Sequence, residues 1–164
     1  MKCHSFFMEK GGRMAKGYPG VILRVLEGSI AEELELVPGD KILSVNNTPL
    51  RDIIDFSFAM ADEEIELLVE HADGEQELIA FDKDYDEDFG VEFERAVFDG
   101  IRSCANHCYF CFVDMIAPDM RHSLSVKDDD YRLSFLYGNF VTLTNMGAAD
   151  FARIERYHLS PLYV

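Results

Sequence analysis

The sequence predicts two small domains in tandem: a compact α+β domain of short strands with two helices, then the start of an α/β segment. Three observations carry this. Over residues 20–95, short β-type runs are punctuated by Gly, Pro, Asn and Asp turn signals. From residue 96 onward, apolar strand-type runs alternate instead with helical spacing. The charge changes with them: residues 27–94 hold 22 acids against 3 bases, so the first half carries most of the acidity behind a formal net charge of −16. A length of 164 residues and a hydrophobic content of 48 % suffice for one or two packed cores.

In chain order, residues 1–19 lack clear periodicity and are expected to form a disordered or upstream extension, with Cys3 a free thiol. Val21 to Leu26 alternates as a strand that Gly28 ends. Ser29-Ile30-Ala31-Glu32 reads as a capping box, in which the Ser29 hydroxyl accepts from an early helix amide and Glu32 reaches back. That helix is short because Val37-Pro38-Gly39-Asp40 is a turn signal. Lys41 to Val45 is the next strand, followed by a tight turn at Asn46-Asn47 and a brief strand into Leu50. Asp52 caps a second helix whose apolar residues are Ile53, Ile54, Phe56 and Phe58. Ile65–His71 and Glu77–Phe81 form a hairpin around Ala72-Asp73-Gly74.

Gly28-Ser29-Ile30-Ala31, then Pro38-Gly39-Asp40, then Ile42-Leu43-Ser44-Val45-Asn46 resembles the core of a PDZ domain. The resemblance implies an extended peptide laid beside an exposed strand, its terminal carboxylate held by loop amides. The Gly-Leu-Gly-Phe loop of that family does not precede Val21. A similar stretch, Phe89-Gly90-Val91-Glu92-Phe93, follows the hairpin, so the fold is expected to be circularly permuted with its groove strand last. Phe89, Gly90 and Val91 are then the candidate peptide-binding residues. Against this, Asp82, Asp84, Asp86, Glu87 and Asp88 repel an incoming carboxylate. The competing expectation is that Phe89, Val91 and Phe93 merely close the core over a vestigial groove. The acidity also excludes direct nucleic-acid or anionic-membrane binding by this half.

In the second half, Ala96–Arg102 is expected as a strand leading into a loop, with Pro118-Asp119 marking another loop. Lys127-Asp128-Asp129-Asp130 reads as a solvated charge run. Phe140–Thr144 is a buried-type strand. Asp150, Phe151, Ile154 and Tyr157 follow on a helix, and Leu162-Tyr163-Val164 begins another strand. The expectation is the N-terminal part, residues 96–164, of a longer domain.

The chemistry lies in Cys104-Ala105-Asn106-His107-Cys108-Tyr109-Phe110-Cys111, a C-x3-C-x2-C loop. Three thiolates in one short loop can converge on one soft metal centre. They are one ligand short of closed tetrahedral zinc and of a fully ligated four-iron cluster, which leaves a position for a small molecule. The alternative is a structural zinc, with His107 completing Cys3His beside a PDZ-type binding module. Adjacent His107 and Cys108 diverge in most loop geometries, and no second ligand cluster follows.

This loop, with its aromatic before the last cysteine, resembles the cluster loop of radical S-adenosylmethionine (radical SAM) enzymes. The run Lys127 to Phe140, followed by Thr142-Leu143-Thr144-Asn145, is similar to a bacterial group of Fe–S oxidoreductases that carry an N-terminal PDZ domain and are related to builders of molybdenum and nitrogenase cofactors. The resemblance implies a [4Fe–4S] cluster on Cys104, Cys108 and Cys111 and S-adenosylmethionine on its open iron. Reductive cleavage then gives a 5′-deoxyadenosyl radical, with a flavodoxin or ferredoxin as electron donor. Phe110 falls where the family places an aromatic near the adenine. No Gly-Gly-Glu stretch is present, and Thr142, Thr144 and Asn145 are expected in its place. Arg121, Lys127, Asp130 and Arg132 become candidates for substrate or cofactor contacts. A partial barrel needs more strand–helix units than the residues after Cys104 supply, so the chain is expected to be truncated and inactive alone. Phe6-Phe7-Met8 is too brief for a signal peptide, which gives a cytoplasmic expectation. No Gly-rich phosphate loop or Gly-x-Ser-x-Gly elbow is present.

Overall fold

The fold is described from a computed structural model covering residues 4–7 and 17–164, with the backbone alone for residues 4–7 and Ser123. The chain divides into two compact units, residues 1–99 and 100–164. No helix among the described residues is long and apolar enough to cross a membrane.

The first unit holds β1 (His4–Phe7), β2 (Gly20–Val25), α1 (Ile30–Glu33), β3 (Lys41–Val45), β4 (Thr48–Pro49), α2 (Ile53–Ala59), β5 (Glu64–Glu70), β6 (Gln76–Asp82) and β7 (Val91–Phe93). The sheet order is β1-β6-β5-β3-β2-β7, with β4 on β3, and every pairing is antiparallel. Such a sheet with two short helices is the α+β arrangement expected of a PDZ-like domain.

Local chemistry accounts for most boundaries. Ser29 caps α1 by accepting from the Glu32 amide at 3.3 Å, while the Glu32 carboxylate accepts from Gly28 N–H at 2.7 Å. Asp52 caps α2, its Oδ1 accepting from Asp55 N–H at 3.0 Å. Asn46 and Asn47 turn between β3 and β4 with φ of 47° and 59°, left-handed values that asparagine tolerates better than most residues. The β5–β6 hairpin pairs seven residues in register, from Glu64 opposite Asp82 to Glu70 opposite Gln76.

The core follows strand alternation: Ile65, Leu67 and Val69 are buried on β5, Ile42 on β3, and Ile79 and Phe81 on β6. Each such aliphatic side chain contributes roughly 1.5–3 kcal/mol by leaving water. On α2, Ile54 and Phe56 turn inward, whereas Phe58 stays about half exposed.

The expected extension over residues 1–19 is corrected at His4–Phe7, which pairs with β6 from His4 opposite Ala80 to Phe7 opposite Glu77. Four residues are too few to show a period, and the pairing answers an otherwise bare sheet edge. Residues 1–3, including Cys3, and 8–16 lie outside the described residues.

One buried polar cluster ties the hairpin to the α1–β3 connection. Asp40, 1 % exposed, accepts from Val37 N–H and Ala72 N–H, and the His71 ring lies 3.2 Å from both Asp40 and Glu77 carboxylates. Burial alone would lower the His71 pKa, but the hydrogen bonds and charges of Glu77 and Asp40 raise it above its ordinary value. A raised folded pKa means stabilisation fully present below the unfolded value, about 6.5, and lost as pH rises through the folded value. The expected result is that His71→Gln loses about 1 kcal/mol at acidic pH and little at alkaline pH, read from thermal melts across that window.

The second unit contains a 3-10 turn (His122–Ser125), α3 (Tyr131–Tyr137) and α4 (Ala148–Tyr157). Among the described residues the strands expected at Ala96–Arg102, Phe140–Thr144 and Leu162–Val164 are not formed, and single bridges appear instead, Asp52 with Val97, Ser103 with Asp128, and Phe140 with Tyr163. A buried strand needs a neighbour along its length, and apolar runs here meet one partner residue each. The Phe140–Tyr163 bridge is parallel, with α4 between its members in sequence. On α4, Arg153 is buried while Phe151 is half exposed. The Arg153 guanidinium donates to the Tyr131 hydroxyl at 2.9 Å and lies over the Tyr131 and Tyr157 rings.

Candidate metal centre

The cysteine loop is anchored by a short antiparallel pairing at its base. Cys104 N–H donates to Lys127 C=O and Asp129 N–H to Arg102 C=O, both at 2.8 Å, flanking the Ser103–Asp128 bridge. Inside the loop, Cys111 N–H donates to Cys108 C=O at 3.1 Å, and Met115 N–H to Cys111 C=O at 3.2 Å. These turns bring Cys104, Cys108 and Cys111, all half-buried free thiols, to the wall of one cavity of about 410 Å³.

Phe110, Lys127, Asn139 and Thr142 line the same cavity. Phe110 is largely exposed and meets Tyr109 edge-on, with ring centres 5.0 Å apart. The Lys127 ammonium donates to Asp114 at 2.7 Å. That bond, chiefly, raises the Lys127 pKa, against its desolvation and helped by the nearby Cys111 and Cys104 thiols. Asp114 is lowered, first by Lys127 and also by a hydrogen bond from Cys111. Lys127 thus places a positive charge on the wall that the three thiols share.

Thr142, Thr144 and Asn145 form a turn linked to the loop. Asn106, between the first two loop cysteines, donates to Thr142 Oγ1 at 3.2 Å and to Thr144 Oγ1 at 2.9 Å. Asn145 donates weakly to Ser103 C=O at 3.5 Å, and its buried Oδ1 has no hydrogen-bond partner among the described residues. Thr142 borders the cavity, whereas Thr144 and Asn145 reach the loop only through these side-chain bonds.

Beneath the turn sits a carboxylate that the sequence pattern hides. Asp129 is 1 % exposed and accepts from Thr142 N–H at 2.5 Å and from Thr142 Oγ1–H at 2.7 Å. Asp130 is fully buried as well, paired with buried Arg132. The expectation of a solvated run from Lys127 to Asp130 is therefore corrected at Asp129 and Asp130, whose charge is met by internal donors. Asp130 and Arg132 hold the fold, while Lys127 faces the cavity. Sequence reasoning missed Asn106 and Asp129. A carboxamide inside the cysteine spacing and two hydroxyls at Thr142 and Thr144 were the available signal.

The donor set fits an iron–sulfur centre in kind: three soft thiols on one cavity, a cation alongside, and no fourth cysteine in the loop. The thiols share a wall without closing on a common point, since no group of three or more His, Cys, Asp or Glu among the described residues is arranged to hold a metal. His107 is exposed and not among the residues lining the cavity, which leaves the zinc alternative without its fourth ligand there.

The groove-strand residues behave differently. Phe89 is buried in the core, stacked on Phe81 at 5.8 Å and edge-on to Phe56 at 5.9 Å. Gly90, at φ 80°, accepts from Leu26 N–H and donates to Asp88 Oδ1 at 3.3 Å. Val91 opens β7, opposite Val25 on β2. Phe56 of α2 also packs edge-on against Phe93 of β7 at 4.9 Å, so rings from helix and strand fill the space between them.

Fold and site together define a small antiparallel α+β module preceding a unit built on a cysteine loop. A radical SAM-like domain model matches residues 83–164, 82 of 164 residues, and a PDZ domain model matches residues 21–71. The chain belongs to the radical SAM-like domain family and carries a PDZ domain. The first match starts at Lys83, inside the first compact unit, so it includes β7. A comparison with curated proteins gives no match.

Proposed function

We propose that this chain is part of a radical SAM oxidoreductase-like enzyme, with Cys104, Cys108 and Cys111 as ligands of a [4Fe–4S] cluster and with a PDZ-type module that docks a protein or peptide. The observation that carries the reading is the shared cavity of the three thiols within the segment matched by the radical SAM-like domain. When bound, the cluster supplies one-electron reductive cleavage of S-adenosylmethionine.

The chain's own residues have separate tasks. Lys127, on the same cavity wall, offsets part of the negative charge that ligation would accumulate. Phe110 offers an aromatic face at the cavity wall for an adenine, and Thr142 offers a hydroxyl there for the polar end of the cosubstrate, with Thr144 and Asn145 behind it tying the turn to the cysteine loop. Asn106 and Asp129 hold that turn by hydrogen bonds, Asn106 to the Thr142 and Thr144 hydroxyls and Asp129 to the Thr142 amide and hydroxyl. Subgroup membership with the cofactor builders, a flavodoxin or ferredoxin donor, and a cytoplasmic setting belong to the same proposal. So does a division of labour near residue 95.

The test is anaerobic reconstitution of the 164-residue chain with iron and sulfide. A brown protein with close to four irons per chain is expected, and Cys108→Ser should retain far less iron while keeping its far-UV circular dichroism. A colourless protein that retains zinc, or iron binding that survives all three cysteine substitutions, would reject the proposal.

A further inference from the structure

The inference rests on reading the first unit as a peptide-docking module. Beside the ring-filled strip between α2 and β7 lies an open cavity of about 330 Å³. Phe56, Met60 and Phe89 give it an apolar floor, and Lys83, Tyr85, Asp86, Glu87 and Asp88 form its edge. Residues 84–88 are all exposed.

The groups that would greet a terminal carboxylate are already engaged. Lys83 is buried, and its ammonium donates to three carbonyls of its own loop, Asp84 at 3.0 Å, Tyr85 at 3.5 Å and Glu87 at 3.3 Å. The Gly90 amide donates to the Asp88 carboxylate, and the Glu87 amide to Asp84 C=O. The loop thus supplies its own carboxylate where a peptide's would go. Asp86, Glu87 and Asp88 line the cavity and its one lysine is turned onto its own loop's carbonyls, so an arriving anion meets repulsion and an arriving cation meets attraction. Tyr85, 74 % exposed, adds an aromatic face suited to a guanidinium or ammonium group.

We propose that this pocket docks an internal basic segment of a partner protein, an apolar side chain on the Phe56–Met60–Phe89 floor and Lys or Arg against the Asp86–Asp88 rim, rather than a free C-terminus. Charge complementarity and the self-engaged loop select that occupant.

The test is fluorescence polarisation of the 164-residue chain with two labelled peptides. One alternates Arg or Lys with Leu and ends in an amide; the other is uncharged along its length, rich in Leu and Val, and ends in a free carboxylate. The amidated basic peptide is expected to bind, losing about tenfold in affinity from low to physiological salt. Asp86→Asn with Glu87→Gln should weaken it by about tenfold, whereas Glu33→Gln with Glu35→Gln, exposed acids at and just after α1, should change it little. Equal losses in the two pairs would overturn the inference, exposing general attraction to an acidic chain. Binding of the carboxylate peptide alone would also overturn it while leaving peptide docking standing. Binding of neither would remove both.

Discussion

Arg132→Met is expected to destabilise the second unit by about 3–5 kcal/mol, because it strands a carboxylate with no route to water. Arg132 and Asp130 side chains are 2 % and 0 % exposed and meet through two bonds, Nε to Oδ1 at 2.8 Å and Nη2 to Oδ2 at 2.7 Å. The same carboxylate accepts from the Arg132 and Arg102 amides at 3.1 and 3.2 Å, capping α3 and gripping the approach to the cysteine loop. Arg132 also donates to Gly100 C=O at 3.1 Å. Removing the guanidinium leaves the cap in place and the charge unanswered. Asp130→Asn on top of Arg132→Met keeps an oxygen for the cap and removes the charge, so the double variant should recover much of the loss. Amide exchange across Tyr131–Tyr137 reads this locally, and the single variant should exchange about 100- to 4,000-fold faster than the parent. Exchange unchanged in the single variant would show that the pair does not hold α3.

The same pair sets an acid limit. Burial by itself would raise the Asp130 pKa, but the Arg132 hydrogen bonds and charge, with the two amides, bring it below the ordinary carboxylate range. A depressed folded pKa gives stabilisation present above the unfolded value, about 4, and lost as pH falls through the folded value. Protection of α3 in the parent chain should therefore persist below pH ~4.

How far a sequence shows its fold depends on whether the deciding partner is near in the chain. Ser29, Asp52, Pro38-Gly39 and Asn46-Asn47 act on neighbours a few residues away, so caps, turns and the β5–β6 hairpin were legible. The cysteine spacing was legible for the same reason. Asp129 and Asp130 were not, because what neutralises them includes Thr142 and an arginine that could equally have faced solvent. Ala96–Arg102 and Phe140–Thr144 have strand composition but no long partner among the described residues, and composition cannot supply one. On α4 Phe151 stays half exposed, while buried Arg153 sets its guanidinium over the Tyr131 and Tyr157 rings. In each case the missing information was a contact made across the fold.

Gly90→Ala is expected to cost the first unit about 3 kcal/mol or more, for two separable reasons. The backbone at Gly90 has φ 80°, which an alanine adopts at a cost of about 1 kcal/mol. The larger part is steric: an added Cβ would overlap the Ser29 side chain, with Ser29 Oγ at 2.6 Å and Ser29 Cβ closer still. Ser29 cannot step aside freely, since its hydroxyl donates to Leu26 C=O at 2.6 Å and accepts from Glu32 N–H. Leu26 N–H in turn donates to Gly90 C=O at 2.9 Å, closing a ring of contacts where β2, α1 and β7 meet. Gly74→Ala isolates the backbone part: its φ is 89°, and nothing lies within 4 Å of the added carbon, so about 1 kcal/mol is expected there. Ser29→Gly removes the obstructing atoms and, as a cap, costs only a few tenths of a kcal/mol. The double variant with Gly90→Ala should therefore regain most of the steric loss, a coupling readable from thermal melts of the four proteins. Additive losses would mean that the clash relaxes elsewhere. Gly90 would then be needed chiefly for its backbone conformation, leaving room at this junction for a larger residue.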